Sequence, residues 1–308
     1  MKKYINKLKL NIFAKEFNDV DKLLCYIVTN FKEKGEEIIN QFIDDNVIDL
    51  KRYGAKVFKV CCTNSYIGLI RFILNNKELS FQTEYDYAIG EAAYYGNLEV
   101  VKLLLADKRV NPAAAIKVAS RKGNVEIVKL LLEDERADTS VCYNYAIGIA
   151  SQEGHVEVVK LLLEDGRADP SACDNCAIME ALAYGRADVV KLLLEDGRVN
   201  PAANNNYAIK VASEKGYAEI VKLLLEDGRA DPSACNNYAI GIASQEGHVE
   251  VVKLLLEDGR VDPSACDNCA IREALAYGRA DVVKLLLSDE RVSDRCSFMK
   301  KIDKLISE

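Results

Sequence analysis

The chain has 308 residues, 49% of them hydrophobic, and a formal net charge of −7 from 41 Lys and Arg against 48 Asp and Glu. An acidic chain lacks the basic face that a phosphate backbone requires, so nucleic acid is excluded as the main partner, and no apolar run reaches the roughly 20 residues of a membrane span. Lys2, Lys3, Lys7 and Lys9 interrupt the apolar residues at the start, so no secretory leader is expected; a monomeric protein of the cytoplasm fits this composition.

Residues 1–25 carry Tyr4, Ile5, Leu8, Ile12, Phe13 and Phe17 at helical spacing among lysines, the pattern of a helical cap that faces water on one side. Residues 26–86 read as two degenerate copies of the repeats that follow. A 31-residue step back from Ile89 lands on Phe58 and then on Ile27, and Ser65 stands where later copies have a turn glycine. The apolar run Leu69 to Leu74 and the run Ile38 to Ile43 keep the same step.

Residues 87–294 hold seven clear copies. Gly96, Gly123, Gly154, Gly185, Gly216, Gly247 and Gly278 are spaced 27 residues once and then 31 residues five times. Self-similarity at such a period marks a stacked solenoid, here all-α, in which each copy buries its apolar faces on its neighbours. Within it, Tyr145 to Val199 returns at Tyr238 to Val292, 93 residues later, with only four of 55 positions changed: Ala168/Val261, Met179/Arg272, Glu195/Ser288 and Gly197/Glu290.

The copy that opens at Tyr145 shows the local logic. Asn144 is expected to cap a short first helix that ends near Glu153, and Gly154 to permit a tight turn. Val156 to Glu164 then forms a second helix, apolar over most of its circumference, which Gly166 closes in the left-handed conformation. All five prolines, Pro112, Pro170, Pro201, Pro232 and Pro263, occupy one loop position, where proline forbids helix. The short copy lacks the equivalent of Asn204-Asn205-Asn206-Tyr207, including the expected cap Asn206, so its helix near Ala115 is expected to fray or to start late. At the far end, residues 295–308 place Phe298, Met299, Ile302, Leu305 and Ile306 on one side of a C-terminal capping helix.

Catalytic groups do not converge. His155 and His248 both follow the turn glycine, where a structural hydrogen bond is expected, and pairs such as Glu164-Asp165 recur as a solvated helix face. No phosphate-binding glycine loop is present, so no catalytic residue and no cofactor are expected. Two Cys-Asp-Asn-Cys motifs, Cys173/Cys176 and Cys266/Cys269, offer a redox pair or two thiolates each toward zinc. Layers about 8 to 10 Å apart put the motifs roughly 25 to 30 Å from each other, too far to share one metal. Small loop residues, copied along with the repeat, are the expected identity of these cysteines.

The stretch Tyr145-Ala146-Ile147-Gly148-Ile149-Ala150-Ser151-Gln152-Glu153-Gly154-His155-Val156-Glu157-Val158-Val159-Lys160-Leu161-Leu162-Leu163 resembles the ankyrin repeat, strongly over residues 87–294 and weakly over 26–86. It lacks the Thr-Pro and the His of the family motif, and at 31 residues against 33 its loop fingers should be short. The phrasing Leu-Leu-Leu-Glu-Asp-Gly-Arg is similar to ankyrin proteins abundant in large viruses of amoebae. The resemblance implies a non-enzymatic scaffold that binds a protein partner through a concave face, where the two residues before each turn glycine lie. Those residues include Tyr94, Tyr95, Arg121, Lys122, Gln152, Glu153, Tyr184, Lys215, Glu246 and Tyr277. Two alternatives stay open: an adaptor that recruits ubiquitin-ligase machinery through its N-terminal segment, and a thiol redox or zinc-binding protein.

Overall fold

A computed structural model describes residues 20–31, 33–76, 78–79, 82–137 and 140–292. The expected N-terminal cap thus lies outside the described residues as far as residue 19, and the expected C-terminal cap, 295–308, lies wholly outside them. The described residues form 18 α-helices and no strand, the all-α solenoid expected from the repeat.

Two compact bodies are distinguished, Met1–Cys142 and Tyr143–Glu308. The first holds the helix pairs α1 (Val20–Asn30) and α2 (Gly35–Asp44), α3 (Leu50–Asn64) and α4 (Ile67–Asn75), α5 (Gln82–Tyr94) and α6 (Leu98–Leu105), and α7 (Ala113–Lys122) and α8 (Val125–Leu132). The second begins within α9 (Ser140–Glu153) and continues with α10 (Val156–Asp165), α11 (Ala172–Ala183), α12 (Ala187–Asp196), α13 (Ala203–Glu214), α14 (Ala218–Asp227), α15 (Ala234–Glu246), α16 (Val249–Asp258), α17 (Ala265–Ala276) and α18 (Ala280–Ser288). Within each body first helices pack on first helices, as α3 on α5 on α7 and α13 on α15 on α17, and second helices pack on second helices, as α12 on α14 on α16.

The sequence explains this layering. Ala146, Ile147 and Ala150 are fully buried on α9, and the small alanines let neighbouring first helices approach closely. Val158, Val159 and Leu162 bury the matching stripe of α10, each contributing roughly 1.5 to 3 kcal/mol of transfer free energy. Gly154 turns the chain at φ +83°, where a side chain would be strained and would also press on Arg186, and Gly166 closes α10 at φ +82° as the sequence implies.

Polar staples then fix neighbouring pairs in register. Arg198 is held by Asp196 at 2.7 Å and donates to the carbonyls of Leu163 and Ala168 in the preceding pair, both at 3.2 Å. Arg229 reaches Leu194, Gly197 and Val199 in the same way, and Arg260 reaches Leu225, Gly228 and Ala230. In the first body Arg109 serves Leu74 and Leu79, while Arg136 serves Leu105, Asp107 and Val110. The carbonyls of Leu74, Leu105, Leu163, Leu194 and Leu225 lie in the last turn of a helix and the others in the loop that follows it, so a guanidinium satisfies the hydrogen bonding of both and meets the negative end of the helix dipole. A second staple follows the turn glycine. The side chains of Asn124, Arg186 and Arg279 donate to the carbonyls of Ala93, Gln152 and Gln245, and His248 Nε2 donates to that of Glu214 at 2.9 Å.

Three local expectations are corrected. Asp165 is not part of a solvated face, because its carboxylate holds Arg167 at 2.6 Å. Asn144 does not cap a helix start. It lies inside α9, and its Oδ1 accepts the Asp169 N–H of the following loop at 2.7 Å. Asn175, Asn206 and Asn237 make the same bond to Asn200, Asp231 and Asp262, and each closes a three-residue left-handed turn, such as Asn204-Asn205-Asn206 with φ of 51°, 57° and 60°. The short copy therefore loses this turn rather than a cap, and α7 starts at Ala113 rather than late.

The Arg hydrogen bonds hold the carboxyls of Asp107, Asp134, Asp196, Asp227 and Asp258 below the usual carboxylate range. A carboxyl whose folded pKa is depressed stabilises the fold above its unfolded value, about 3.9, and loses that contribution as pH falls through the folded value. Thermal melts should therefore show full stability near neutrality and a steep loss below about pH 4. Asp227→Asn is expected to melt lower at pH 7 and to lose less on acidification. Arg229→Ala, which strips three carbonyls of their donor, should cost about 1 to 3 kcal/mol in denaturant unfolding.

Candidate functional site

The residues of the expected stripe sit at the ends of the first helices. Each such helix buries an Ala-Ile pair and a later Ala, so the residues just before its turn point outward. Tyr95, Tyr184 and Tyr277 are 55%, 53% and 54% exposed, large values for rings. Lys215 and Glu246 are also exposed, whereas Gln152 and Glu153 are half-buried. In the second body the Gln152 side-chain amide donates to Glu153 at 3.1 Å, and the duplicated pair Gln245 and Glu246 repeats the bond at 2.9 Å. Lys215 stands 3.9 Å from Glu214.

In the first body the residues are brought together more tightly. The Tyr94 and Tyr95 rings meet edge to face with centroids 5.1 Å apart, and Lys122 from α7 sets its ammonium 4.1 Å from the Tyr94 centroid. Arg121 is exposed beside it. Sequence reasoning missed two members of this group: Tyr87, 42% exposed two turns earlier on α5, and Lys59 of α3, whose ammonium lies 4.1 Å from the Tyr87 centroid. The signal for Tyr87 was present, since it stands in the repeat column of Tyr145, Tyr207 and Tyr238.

A recess of about 340 Å³ in the second body was also missed. Cys235, Tyr238, Gly241, Gln245, Cys266, Cys269 and Glu273 line it. Gly241 in its lining shares a column with Gly90 and Gly148, where other copies have Met179, Lys210 and Arg272, and a Cβ at Gly241 would meet nothing within 4 Å.

The Cys-Asp-Asn-Cys motifs acquire a geometry here. Cys173 and Cys266 open the left-handed turns and are exposed, whereas Cys176 and Cys269 are half-buried at the start of the right-handed helix. Burial first, then Glu180 and Cys173, push the Cys176 thiol up, and burial with Glu273 and Cys266 does the same to Cys269. A raised thiol holds its proton near neutral pH, the reverse of what a redox nucleophile needs. Cys62, in the core of α3, is pushed up to about 12 by burial alone. Timed alkylation with mass spectrometry should label Cys173 and Cys266 well before Cys176 and Cys269 at pH 7.

The stacked helix pairs, left-handed turn glycines and outward first-helix ends define an ankyrin-type solenoid. A family model described as ankyrin repeats in three copies matches residues 58–142, 89–174, 116–206, 147–234 and 209–296, and the chain belongs to this family. Ankyrin repeats are in general protein interaction modules. Among curated protein sequences, none matches the chain. Among solved structures, the ankyrin-repeat domain of Bcl-3, described as a unique member of the IκB protein family, is similar at 22% identity with a TM-score of 0.55, over 65% of this chain and 97% of that one. An ankyrin-repeat domain from Acinetobacter baumannii is 24% identical over 56% of this chain and 96% of its own, with a TM-score of 0.45. The ankyrin-repeat domain of human ASB11 is 22% identical over 61% and 96%, with a TM-score of 0.48. The likeness to the Bcl-3 domain is one of fold.

Proposed function

We propose that this chain is a non-enzymatic scaffold that binds a protein partner through the stripe of residues before the turn glycines. The observation that carries this reading is the column of tyrosines Tyr95, Tyr184 and Tyr277, each more than half exposed at the same repeat position. An exposed ring offers large contact area with only two side-chain torsions to immobilise, which is why tyrosine anchors interfaces. Within the second body Tyr184 and Tyr277 stand three layers apart, roughly 25 to 30 Å, a span suited to an extended partner surface.

We also assign residues 26–86 to the same array as two degenerate repeats. Ile27, Phe58 and Ile89 are all fully buried on the 31-residue step, and Ser65 takes the left-handed conformation of a turn glycine at φ 59°. An adaptor role for the N-terminal segment rests mainly on residues outside the described ones, and the raised thiols of Cys176 and Cys269 speak against the redox reading.

The test compares two triple variants in partner capture from the native cell. Tyr95→Ala, Tyr184→Ala and Tyr277→Ala together should weaken a captured partner by about tenfold or more, the scale of a lost interface anchor. Lys102→Ala, Lys191→Ala and Lys284→Ala, on the second helices, should leave capture within about threefold, since exposed charges contribute little. Equal losses from both, or none from either, reject the stripe.

A further inference from the structure

Charge is distributed unevenly over the first helices. The stretches of α3 and α7 contain Lys51, Arg52, Lys56, Lys59 and Lys117, Arg121, Lys122 and not one Asp or Glu, in a chain whose net charge is −7. Both pack against α5, which lies between them. Lys51 and Lys56 are engaged by Glu78 and Asp21. Lys59 and Lys122 instead lean over α5 from opposite sides, each onto a tyrosine ring, Tyr87 and Tyr94. All four side chains are exposed.

Resting on the scaffold reading, we propose that this face of the first body binds an extended acidic peptide segment of a protein partner, with one carboxylate on Lys59, a second on Lys122, and an uncharged residue packed between them against Tyr94 and Tyr95. A lysine on a ring face remains a full positive charge whose flexible stem is already ordered, so a carboxylate completes the pair without the entropy of fixing the chain. The ring edges add apolar contact beside it.

The spacing selects the ligand. Tyr87 and Tyr94 are seven residues apart on α5, about 10 Å along its axis. The two lysines approach from opposite sides, so this axial rise is a lower bound on their separation, and side chains on one face of an extended peptide recur at about 7 and 13 Å, which favours carboxylates four residues apart. Glu91 lies between Tyr87 and Tyr94 in sequence, one turn from each along the same face, and its carboxylate acts on Lys59. A continuous polyanion laid along α5 meets that carboxylate midway, whereas a peptide with an uncharged centre does not. This argues for a peptide with spaced acids over a nucleic acid.

The probe is a fluorescein-labelled peptide, Gly-Glu-Ser-Tyr-Ser-Glu-Gly, titrated against the full chain by fluorescence polarisation. We expect saturable binding that weakens several-fold between about 50 and 300 mM salt. It should fall about tenfold or more in the Lys59→Glu, Lys122→Glu variant, as expected for reversed charges at a contact. The charge-conserving pair Lys59→Arg, Lys122→Arg, which guards against loss of fold, should bind within about threefold of the parent, since a guanidinium also sits over an aromatic face, as should Lys191→Glu on a second helix of the second body. The inference is overturned by absence of binding, by equal binding after charge reversal, or by equal binding of a peptide with Lys in place of both Glu. A single-stranded oligonucleotide that displaces the peptide and loses affinity in the same reversed variant assigns the face to nucleic acid and also overturns it. A peptide that fails while the tyrosine triple variant still abolishes partner capture removes this inference and leaves the scaffold standing.

Discussion

The contact on which the array depends is the arginine that one helix pair lends to the previous one. In a solenoid each pair touches only its neighbours, so cohesion is a sum of nearest-neighbour interfaces and any uncertainty of register propagates. Apolar burial supplies most of the stabilisation, with several residues such as Val158, Val159 and Leu162 each worth roughly 2 kcal/mol. It is poorly directional, however, and a Val-Val-Lys-Leu-Leu-Leu helix presents nearly the same face after a shift of one turn. The guanidinium removes that ambiguity. Arg229 meets Leu194, Gly197 and Val199 only in one register, and a slipped register would leave terminal carbonyls unsatisfied at about 1 to 3 kcal/mol each.

The left-handed turns are a cost that the same logic offsets. A non-glycine residue in this conformation is disfavoured by roughly 1 to 2 kcal/mol, less for Asn and Asp, and residues 173–175, 204–206, 235–237 and 266–268 adopt it three in a row. Asn supplies the return. At the third position its carbonyl oxygen takes the next loop's N–H, as Asn206 does from Asp231 at 2.7 Å, so strain in one loop holds the following one. Sequence alone misreads this residue for a physical reason. Asn is favoured both as a helix cap and in the left-handed region, because a short side-chain carbonyl serves either geometry, and only the partner 25 residues on distinguishes them.

The same distinction separates what could be read of the surface from what could not. The period and the buried column of Ile27, Phe58 and Ile89 follow from local spacing; of the residues before the turn, placed by resemblance, Tyr95, Tyr184 and Tyr277 are exposed whereas Gln152 and Glu153 are half-buried. The ring contacts do not follow from spacing. Lys59 reaches Tyr87 and Lys122 reaches Tyr94 across a helix–helix interface, so the pairing depends on how flexible lysine stems settle between layers. The Asp-x-Arg staple escaped for a related reason: within one helix an Asp beside a Glu looks like a solvated end, and its purpose lies in the carbonyls of another pair.

Comparison among the copies shows which positions are held fixed and which are free. Three copies lack the glycine between Asp and Arg, reading Asp107-Lys108-Arg109, Asp134-Glu135-Arg136 and Asp289-Glu290-Arg291. Their second helices stop earlier: α6 and α8 have 8 residues and α18 has 9, against 10 where Gly166 or Gly197 closes the helix in the left-handed conformation. Yet Arg109, Arg136 and Arg291 still hold their Asp and still reach the preceding carbonyls. The glycine therefore sets where the helix ends, while the staple persists without it. The buried columns tolerate only close exchanges, as Ala168 for Val261, both almost fully enclosed. The column before the turn glycine, by contrast, runs through Tyr, Lys and Glu, whose contacts stay at the exposed helix end, as Tyr95 with Tyr94 and Glu153 with Gln152. A position that the fold leaves chemically free on a rigid scaffold is where binding specificity can be written without loss of stability, and in this chain those positions gather on the exposed ends of the first helices.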